Sequence, residues 1–361
     1  MSTIALLCLL SFSAVAATFI AQPSSAQPSF QGKTIRIVVA APTGNNTDIL
    51  GRQFAPFIAK SIPGNPAVIV ENRPGAGGTI GANYVYNVAK PDGETIGFLF
   101  NLVTPGLIGA EGVRYDPSRF RWLGAISQTQ VLLARKDLEL TRPLDLLKPA
   151  KPLVLASSSG TSTGSAVDIG NRLFLDMIGA KYKFVTGYTG QAEAILALAR
   201  GEANLTNAGH TLYLSRRETL RKEGIMDAIV QRGEAVPDGS FRRNQQLGDL
   251  PTTIEAIQEK NPAALQSVDF LTYRSIIGAF ALNFPIVLPP QTDRSVVETL
   301  RHAFSTALND PEARKAVFGM LKADYEFVDG AASERIIEKI RDDYRSDQRV
   351  SERLKQLISG K

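Results

Sequence analysis

From Lys33 onward, short apolar runs rich in β-branched residues alternate with amphipathic stretches, and loops of glycine and hydroxyl residues join them. That alternation constrains the fold more than any other feature. A parallel strand pair needs a crossover, usually a helix, so the pattern predicts an α/β architecture with mostly parallel sheets. Residues 34–40 (TIRIVVA), 67–71 (AVIVE) and 95–100 (TIGFLF) read as buried strands. Between the first two, Asn46 or Thr47 is placed to cap a helix whose Ile49, Leu50, Phe54, Phe57 and Ile58 recur at helical spacing. Pro56 is expected to kink that helix or end it early.

The same grammar returns further on: a strand at 153–156, a loop at 157–165, a helix to 178, a strand at 181–185 and a helix at 191–199. This predicts a second α/β lobe. Two extended segments, 121–135 and 273–288, are long enough to cross between lobes as a two-strand hinge. The expected division is 33–127 plus 275–361 for the first lobe and 128–274 for the second. After Pro289 and Pro290, Val296, Val297, Leu300, Phe304 and Leu308 share a helix face, with a fresh start at Asp310 and Pro311. These helices are expected to return to the first lobe. A chain of 361 residues, 44% hydrophobic and 21% charged, has the length for two lobes and too much apolar content for disorder.

Charge excludes one class of partner. The formal +5 is spread among alternating signs, so nucleic acid is not implied. Arg216, Arg217, Arg221 and Lys222 interleave with Glu218 and Glu223 as a solvated helix face does. No charged residue precedes Lys33, residues 4–17 are almost wholly apolar, and small-x-small sites end at Ala16 and Ala26. Residues 1–26 therefore read as a cleaved export signal without the usual basic start, cleavage after Ala26 being preferred. The only cysteine, Cys8, lies inside it behind Leu7, where lipid anchoring requires a small residue. A mature chain without cysteine suits a periplasm.

Three loops, each between a strand and a helix, are candidates for chemistry. The first is Pro42, Thr43, Gly44, Asn45, Asn46, Thr47 and Asp48. The second, 157–165 (SSSGTSTGS), holds Ser158, Gly160, Thr161, Ser162, Thr163, Gly164 and Ser165; the third, 186–191 (TGYTGQ), holds Tyr188, Thr189 and Gly190. Glycine lets backbone approach a ligand, and the free N–H groups of a helix start favour an anion. None of the loops contains Lys or Arg, so the chemistry points to a carboxylate held by N–H dipoles and hydroxyls and readily released. Ordinary turns and caps are the alternative, since the same residue types are common there. Asn101 and Asn207 complete the candidate ligand-binding set.

Other motifs are weaker. Residues 71–82 (ENRPGAGGTIGA) almost spell a dinucleotide fingerprint, with Gly75 and Gly77 in place, Asp92 and Glu94 near the acidic position, and Ile80 where the third glycine belongs. Gly160, Ser162 and Gly164 match the Gly-x-Ser-x-Gly elbow, with His210 or His302 available as base, so an exported serine hydrolase is the rival reading. Against it, residues 157–159 separate the strand from Ser162, and no His-Gly-Gly oxyanion segment occurs. Two isolated histidines and no mature cysteine offer no metal cluster. No catalytic residue, metal or cofactor is assigned.

The order KTIRIVVAAPTGNNTD, VIVENRPGAGGTIGA, AKPDGETIGFL, SSSGTSTGS and VTGYTGQAEAILALARGEAN resembles the Bug family, the extracytoplasmic solute receptors of tripartite tricarboxylate transporters. The likeness covers nearly the whole mature chain, and ENRPGAGG followed by AKPDGETIG is its most specific part. It implies a type II periplasmic-binding-protein fold, two α/β lobes closing on an organic acid, often a di- or tricarboxylate or an aromatic acid. It implies that the first loop, Thr43 to Asp48, meets one carboxylate partly through ordered water. Gly160 to Ser165 and the Tyr-x-Gly of Tyr188 and Gly190 would meet the other end. Three positions depart from the family pattern: Asn45 stands where glycines are paired, Thr189 where Lys is frequent, and Asn204 where an acidic residue follows Gly-x-Val, which alters the expected lining. Phe98, Phe100, Trp122 and Tyr188 are the candidate apolar walls. The implied partners are a small organic acid and membrane permease subunits, with a sensor kinase as the alternative, and a monomer is the default for a receptor that opens and closes.

Overall fold

The computed structural model describes residues 28–157, 165–188, 190–236, 238, 240–321 and 324–359. In chain order the elements are β1 (Thr34–Val39), α1 (Asn46–Ser61), β2 (Ala67–Asn72), α2 (Thr79–Asn87), β3 (Thr95–Phe98), α3 (Val103–Ile108), β4 (Arg121–Ser127) and β5 (Gln130–Arg135). There follow β6 (Leu153–Ala156), α4 (Ala166–Ile178), β7 (Tyr182–Val185), α5 (Gln191–Arg200), β8 (Leu205–Gly209), α6 (His210–Lys222), β9 (Met226–Gln231), β10 (Glu234–Ala235) and β11 (Phe241–Arg242). The chain ends with α7 (Thr253–Lys260), α8 (Val268–Ala281), β12 (Phe284–Leu288), α9 (Arg294–Asn309), α10 (Pro311–Leu321), β13 (Glu326–Asp329), α11 (Gly330–Ser346) and α12 (Gln348–Ser359).

Two mixed sheets carry these strands, apart from β10 and β11, which pair as a separate antiparallel hairpin. The first runs β13-β4-β12-β3-β1-β2 and the second β7-β6-β8-β5-β9. Parallel pairing is confined to β2-β1-β3 and β7-β6-β8; β12 is antiparallel to β3 and β4, and β5 to β8 and β9. Mostly parallel sheets were expected. The reversals occur where a strand enters from the other half of the molecule without a crossover helix over its own sheet.

Helices cover both faces of each sheet, which accounts for the continuous apolar strands. On the first sheet, Phe54, Ile58, Leu300, Phe304 and Leu308 from α1 and α9 pack one face. Val85, Ile336, Ile337 and Ile340 from α2 and α11 pack the other around Trp122. On the second, α4, α7 and α8 supply Leu173, Phe174, Ile257 and Ile276, while α5 and α6 supply Ile195, Leu198 and Tyr213 opposite.

Three local expectations change. Pro56 lies inside α1, which continues to Ser61. It is exposed while Leu50, Phe54 and Ile58 are buried on the opposite side, so water can satisfy the carbonyl that loses its partner. Residues 273–281, expected to be extended, complete α8, capped by Ser267. Their unbroken apolar content fits a helix buried on several sides as well as a strand. The crossings are therefore Gln128–Thr129 between β4 and β5, and Leu282–Asn283 between α8 and β12. Finally, Val350, Leu354 and Leu357 of α12 join the core of the second sheet beside α8, although residues 275–361 were expected to belong with the first.

Away from the crossings a clasp joins the sheets. Arg242 bonds Glu326 of β13 and approaches Glu234 at 3.4 Å, and the Gln246 side chain exchanges bonds with the Asp324 backbone. Burial, and then the facing Glu326, push the Glu234 carboxyl up to about 8.

Phe54 is 1% exposed and meets Tyr325 edge-on at 5.2 Å between ring centroids. Phe54→Ala should lower the unfolding free energy by about 3–5 kcal/mol, measured as a fall in the urea midpoint.

Candidate ligand site between the two sheets

The first candidate loop is built around a buried carboxylate. Asn45 is the cap of α1, accepting from the Thr47 N–H at 3.1 Å, one residue before the sequence expectation. Gly44 takes φ +84°, a left-handed conformation that suits glycine, and its N–H donates to Asp48 Oδ2 at 2.9 Å. Asp48 Oδ1 accepts from Arg52 Nε at 3.0 Å and Asn72 Nδ2 at 2.9 Å. Asn72 also donates to the Ala41 carbonyl, while its own oxygen accepts from Arg52 and from the Thr43 hydroxyl. Burial pushes the Asp48 carboxyl up, but Arg52, the Gly44 N–H and Asn72 outweigh it and hold the carboxyl below its ordinary value. Asp48 thus fastens the loop and leaves Thr43, Gly44, Asn45 and Asn46 exposed. Arg52 and Asn72 were missed by sequence reasoning. The signal for Asn72 was the ENRPGAGG segment, whose second residue it is.

In the second sheet Ser165 caps α4 in a reciprocal box with Asp168. Asp168 Oδ2 accepts from Ser165 N (2.7 Å), Ser165 Oγ (2.9 Å) and Ser157 Oγ (3.0 Å), drawing both ends of the 157–165 loop onto one carboxylate. Ser158, Gly160, Thr161, Ser162, Thr163, Gly164 and Thr189 lie outside the described residues. Gly190 caps α5 with extended backbone. The Tyr188 hydroxyl donates to Glu202 at 3.4 Å, and burial followed by that carboxylate pushes its pKa up. Asn204 proves remote from the loops. It precedes β8 at the opposite end, accepting from Val154 N (2.7 Å) and donating to Pro152 O (2.8 Å). A carboxylate could not make the second bond, so Asn204 is a strand tie and its departure leaves the lining unchanged.

Residues of both halves meet in two small cavities. Asn46, Leu50, Ser127, Gln128, Thr211 and Tyr325 line part of one of about 20 Å³. Asn101, Thr104, Ala166, Phe280 and Asn283 line part of another of about 40 Å³. One water needs about 10–15 Å³ of such space, so these two cavities have room for one to a few waters. A larger hollow of about 730 Å³, lined by Tyr86, Arg119, Arg121 and Pro289 among others, lies at the other end of the first sheet. The candidate loops do not face it, and the carboxyl ends of the parallel strands are the better guide to a ligand site.

Of the buried polar atoms without hydrogen-bond partners among the described residues, four lie at the facing ends: Thr47 Oγ1 on α1, and Asn207 Nδ2, His210 Nε2 and Arg232 Nη1 on the second sheet's side; the others, Arg73 Nε, Arg274 Nε and Arg301 Nη2, belong to ion-paired arginines. His210 is 2% exposed and lies 3.3 Å from the Thr129 carbonyl through Nδ1. Burial pushes its imidazole down to about 4. Its Nδ1–H donates to that carbonyl, and a pKa of about 4 makes it too weakly basic to suit the elbow chemistry near neutral pH. His302 is exposed on α9, against the outer face of the first sheet. Arg232, the one buried cation of this end among the described residues, had no sequence signal, because it follows β9 outside every motif.

The model of the tripartite tricarboxylate transporter family receptor matches residues 50–237. An Agrobacterium vitis protein from a ttuE-ttuC' intergenic region is 31% identical over 300 residues, 82% of this chain and 77% of its own. The chain belongs to this receptor family. BugT of Bordetella pertussis is 38% identical to the receptor over 307 residues, 78% of this chain and 90% of BugT. A Polaromonas solute-binding protein of the same family, solved without ligand, superposes with TM-score 0.68 at 20% identity, covering 92% of the receptor and all of that chain. MatC of Rhodopseudomonas palustris with bound malate (TM-score 0.53, 19% identity, 90% and 98% covered) shares the fold. So does a second R. palustris protein with adipate (TM-score 0.56, 21% identity, 88% and 97% covered). The receptor is thus a solute-binding protein of the periplasmic-binding-protein fold. No described helix is long and apolar enough to cross a membrane.

The His210 pKa lies below its unfolded value, so the unfolded chain takes up a proton near pH 6.5 while the folded chain does not until about pH 4. As pH falls across that window the His210 contribution to stability should drop by about 3 kcal/mol and level off below it, while Glu234, whose pKa is raised, works in the opposite direction. His210→Gln should remove this slope in denaturation curves measured from pH 7 to pH 3.5.

Proposed function

We propose that the receptor captures a small organic carboxylate between its two sheets and delivers it to the membrane permease subunits of a tripartite tricarboxylate transporter. Residues 1–26 would export it to the periplasm. The observation that carries this reading is the placement of Thr47 Oγ1, Asn207 Nδ2, His210 Nε2 and Arg232 Nη1, buried without partners, at the facing ends of the sheets. Buried polar atoms are otherwise almost always paired, and a polar ligand would complete them. Each sheet with its helices acts as one lobe, and the two crossings form the hinge. The malate and adipate held by R. palustris proteins of this fold support a carboxylate as the class.

Thr43, Gly44, Asn45, Asn46 and the N-terminus of α1 would meet one carboxylate through backbone and hydroxyl groups. Ser165, Asn207, Tyr188 and Gly190, with residues 158–164 and Thr189, are proposed to frame the other end. The two cavities of about 20 and 40 Å³ would not by themselves hold such an acid, and rotation about the crossings is proposed to accompany uptake. The hydrolase alternative gains no support, since burial leaves His210 too weakly basic to activate a serine near neutral pH.

The test is a panel of aliphatic and aromatic mono-, di- and tricarboxylates added to the mature protein. At least one acid should raise the melting temperature with saturating dependence on concentration and reduce the radius of gyration in solution scattering. A panel in which no acid does either would sink the proposal.

A further inference from the structure

We infer that Glu234 of one lobe and Glu326 of the other hold one proton between them when the lobes are together, so that ligand capture takes up a proton. The inference rests on the carboxylate-receptor reading and on rotation about the crossings, and adds a linkage to pH.

The clasp sets two carboxylates against one cation. Glu234 belongs with the second lobe, because the hairpin of β10 and β11 follows β9 and is tied to it where Gln231 Oε1 accepts from the Asn244 N–H at 2.7 Å. Glu326 belongs with the first, since β13 is the edge strand beside β4. Glu234 is 6% exposed; Asn244 Nδ2 donates to its Oε1, and Arg242 Nε stands 3.4 Å from its Oε2. Arg242 gives its Nη2 to Glu326 instead. The two carboxyls face one another within hydrogen-bonding range across the lobe boundary.

Carboxylates this close repel, and the one guanidinium beside them is largely exposed and screened by water. A proton removes the repulsion and supplies the donor that joins the two groups. Burial, and then Glu326, push the Glu234 carboxyl up, and Asn244 and Arg242 oppose them without cancelling them. The charged neighbours on the surrounding elements are engaged elsewhere. Asp324, ahead of β13, is paired with Arg314 of α10, and Asp269 and Arg274 of α8 are paired with Arg353 and Asp343. Arg301 of α9 pairs with Glu334 of α11 against Gly330, past the other end of β13. His210 feels Glu326 through space, but its imidazole titrates near pH 4. Rotation that parts the lobes carries Glu326 away and leaves Glu234 with Arg242 and Asn244, both of which favour its ionised form. The closed receptor therefore holds a proton that the open one releases to water, between the ordinary glutamate value and about pH 8. Affinity falls as pH rises through that window.

The experiment is calorimetric titration of the mature protein between pH 7 and pH 9, where simple carboxylic acids stay ionised. The probes are malate, adipate and the acid of the panel above with the largest melting shift, each run in two buffers of different ionisation enthalpy. Wild type should take up about half a proton per acid bound near pH 8 and bind about 10-fold more weakly at pH 9 than at pH 7. Glu234→Gln and Glu326→Gln should each bind without proton uptake and hold affinity within about 2-fold across the range. Glu326 is partly exposed, so its variant decides the matter if Glu234→Gln does not fold. A merely structural role for the pair would lower stability in the variants and leave the proton count as in wild type. Binding by wild type without proton uptake, or uptake unchanged in either folded variant, overturns the inference and leaves the carboxylate receptor standing. Failure of wild type to bind any acid of the panel overturns both.

Discussion

Gln128 is the residue through which the two halves of the receptor are set against one another. Its N–H donates to the Phe280 carbonyl, its Oε1 accepts from Asn283, and its Nε2 donates to Thr211, all at 3.1 Å. One amide side chain and its backbone thereby join both crossings and the first turn of α6. A Cβ on Gly209 would lie 2.9 Å from that Nε2, so the end of β8 is shaped around the same group. With the Arg242 clasp, this junction sets how the ends of the two sheets face one another.

Charge is distributed around the cleft by the same economy. The glycine and hydroxyl loops contain no cation, yet cations stand behind two of them. Arg52 is consumed by Asp48, which fastens the first loop through the Gly44 N–H and leaves residues 43–46 exposed. Arg232 is held on one nitrogen and unpartnered on the other.

The α/β class was legible because a sheet covered on both faces demands continuous apolar strands, and amphipathic helices announce themselves by period. Residues 273–281 were misread because an apolar run buried on several sides has no period to distinguish helix from strand. The position of α12 was misread because an amphipathic face shows that a helix packs and does not show on which core. Asn204 misled for a related reason: strand ends alternate between the ligand side and the far side, and only the sheet register tells which.

The sequence by itself determined the architecture, the receptor family and the loops that begin helices at the ends of strands, because these depend on short-range periodicity and on motifs contiguous in the chain. Only the tertiary structure decided which side chains reach those loops. Arg52 and Asn72 are 20 residues apart and meet at Asp48, while Arg232 and Asn171 are 61 apart and meet under α4. Their meeting depends on the pairing of strands across each sheet and the packing of helices upon it, interactions of long range that no local pattern encodes.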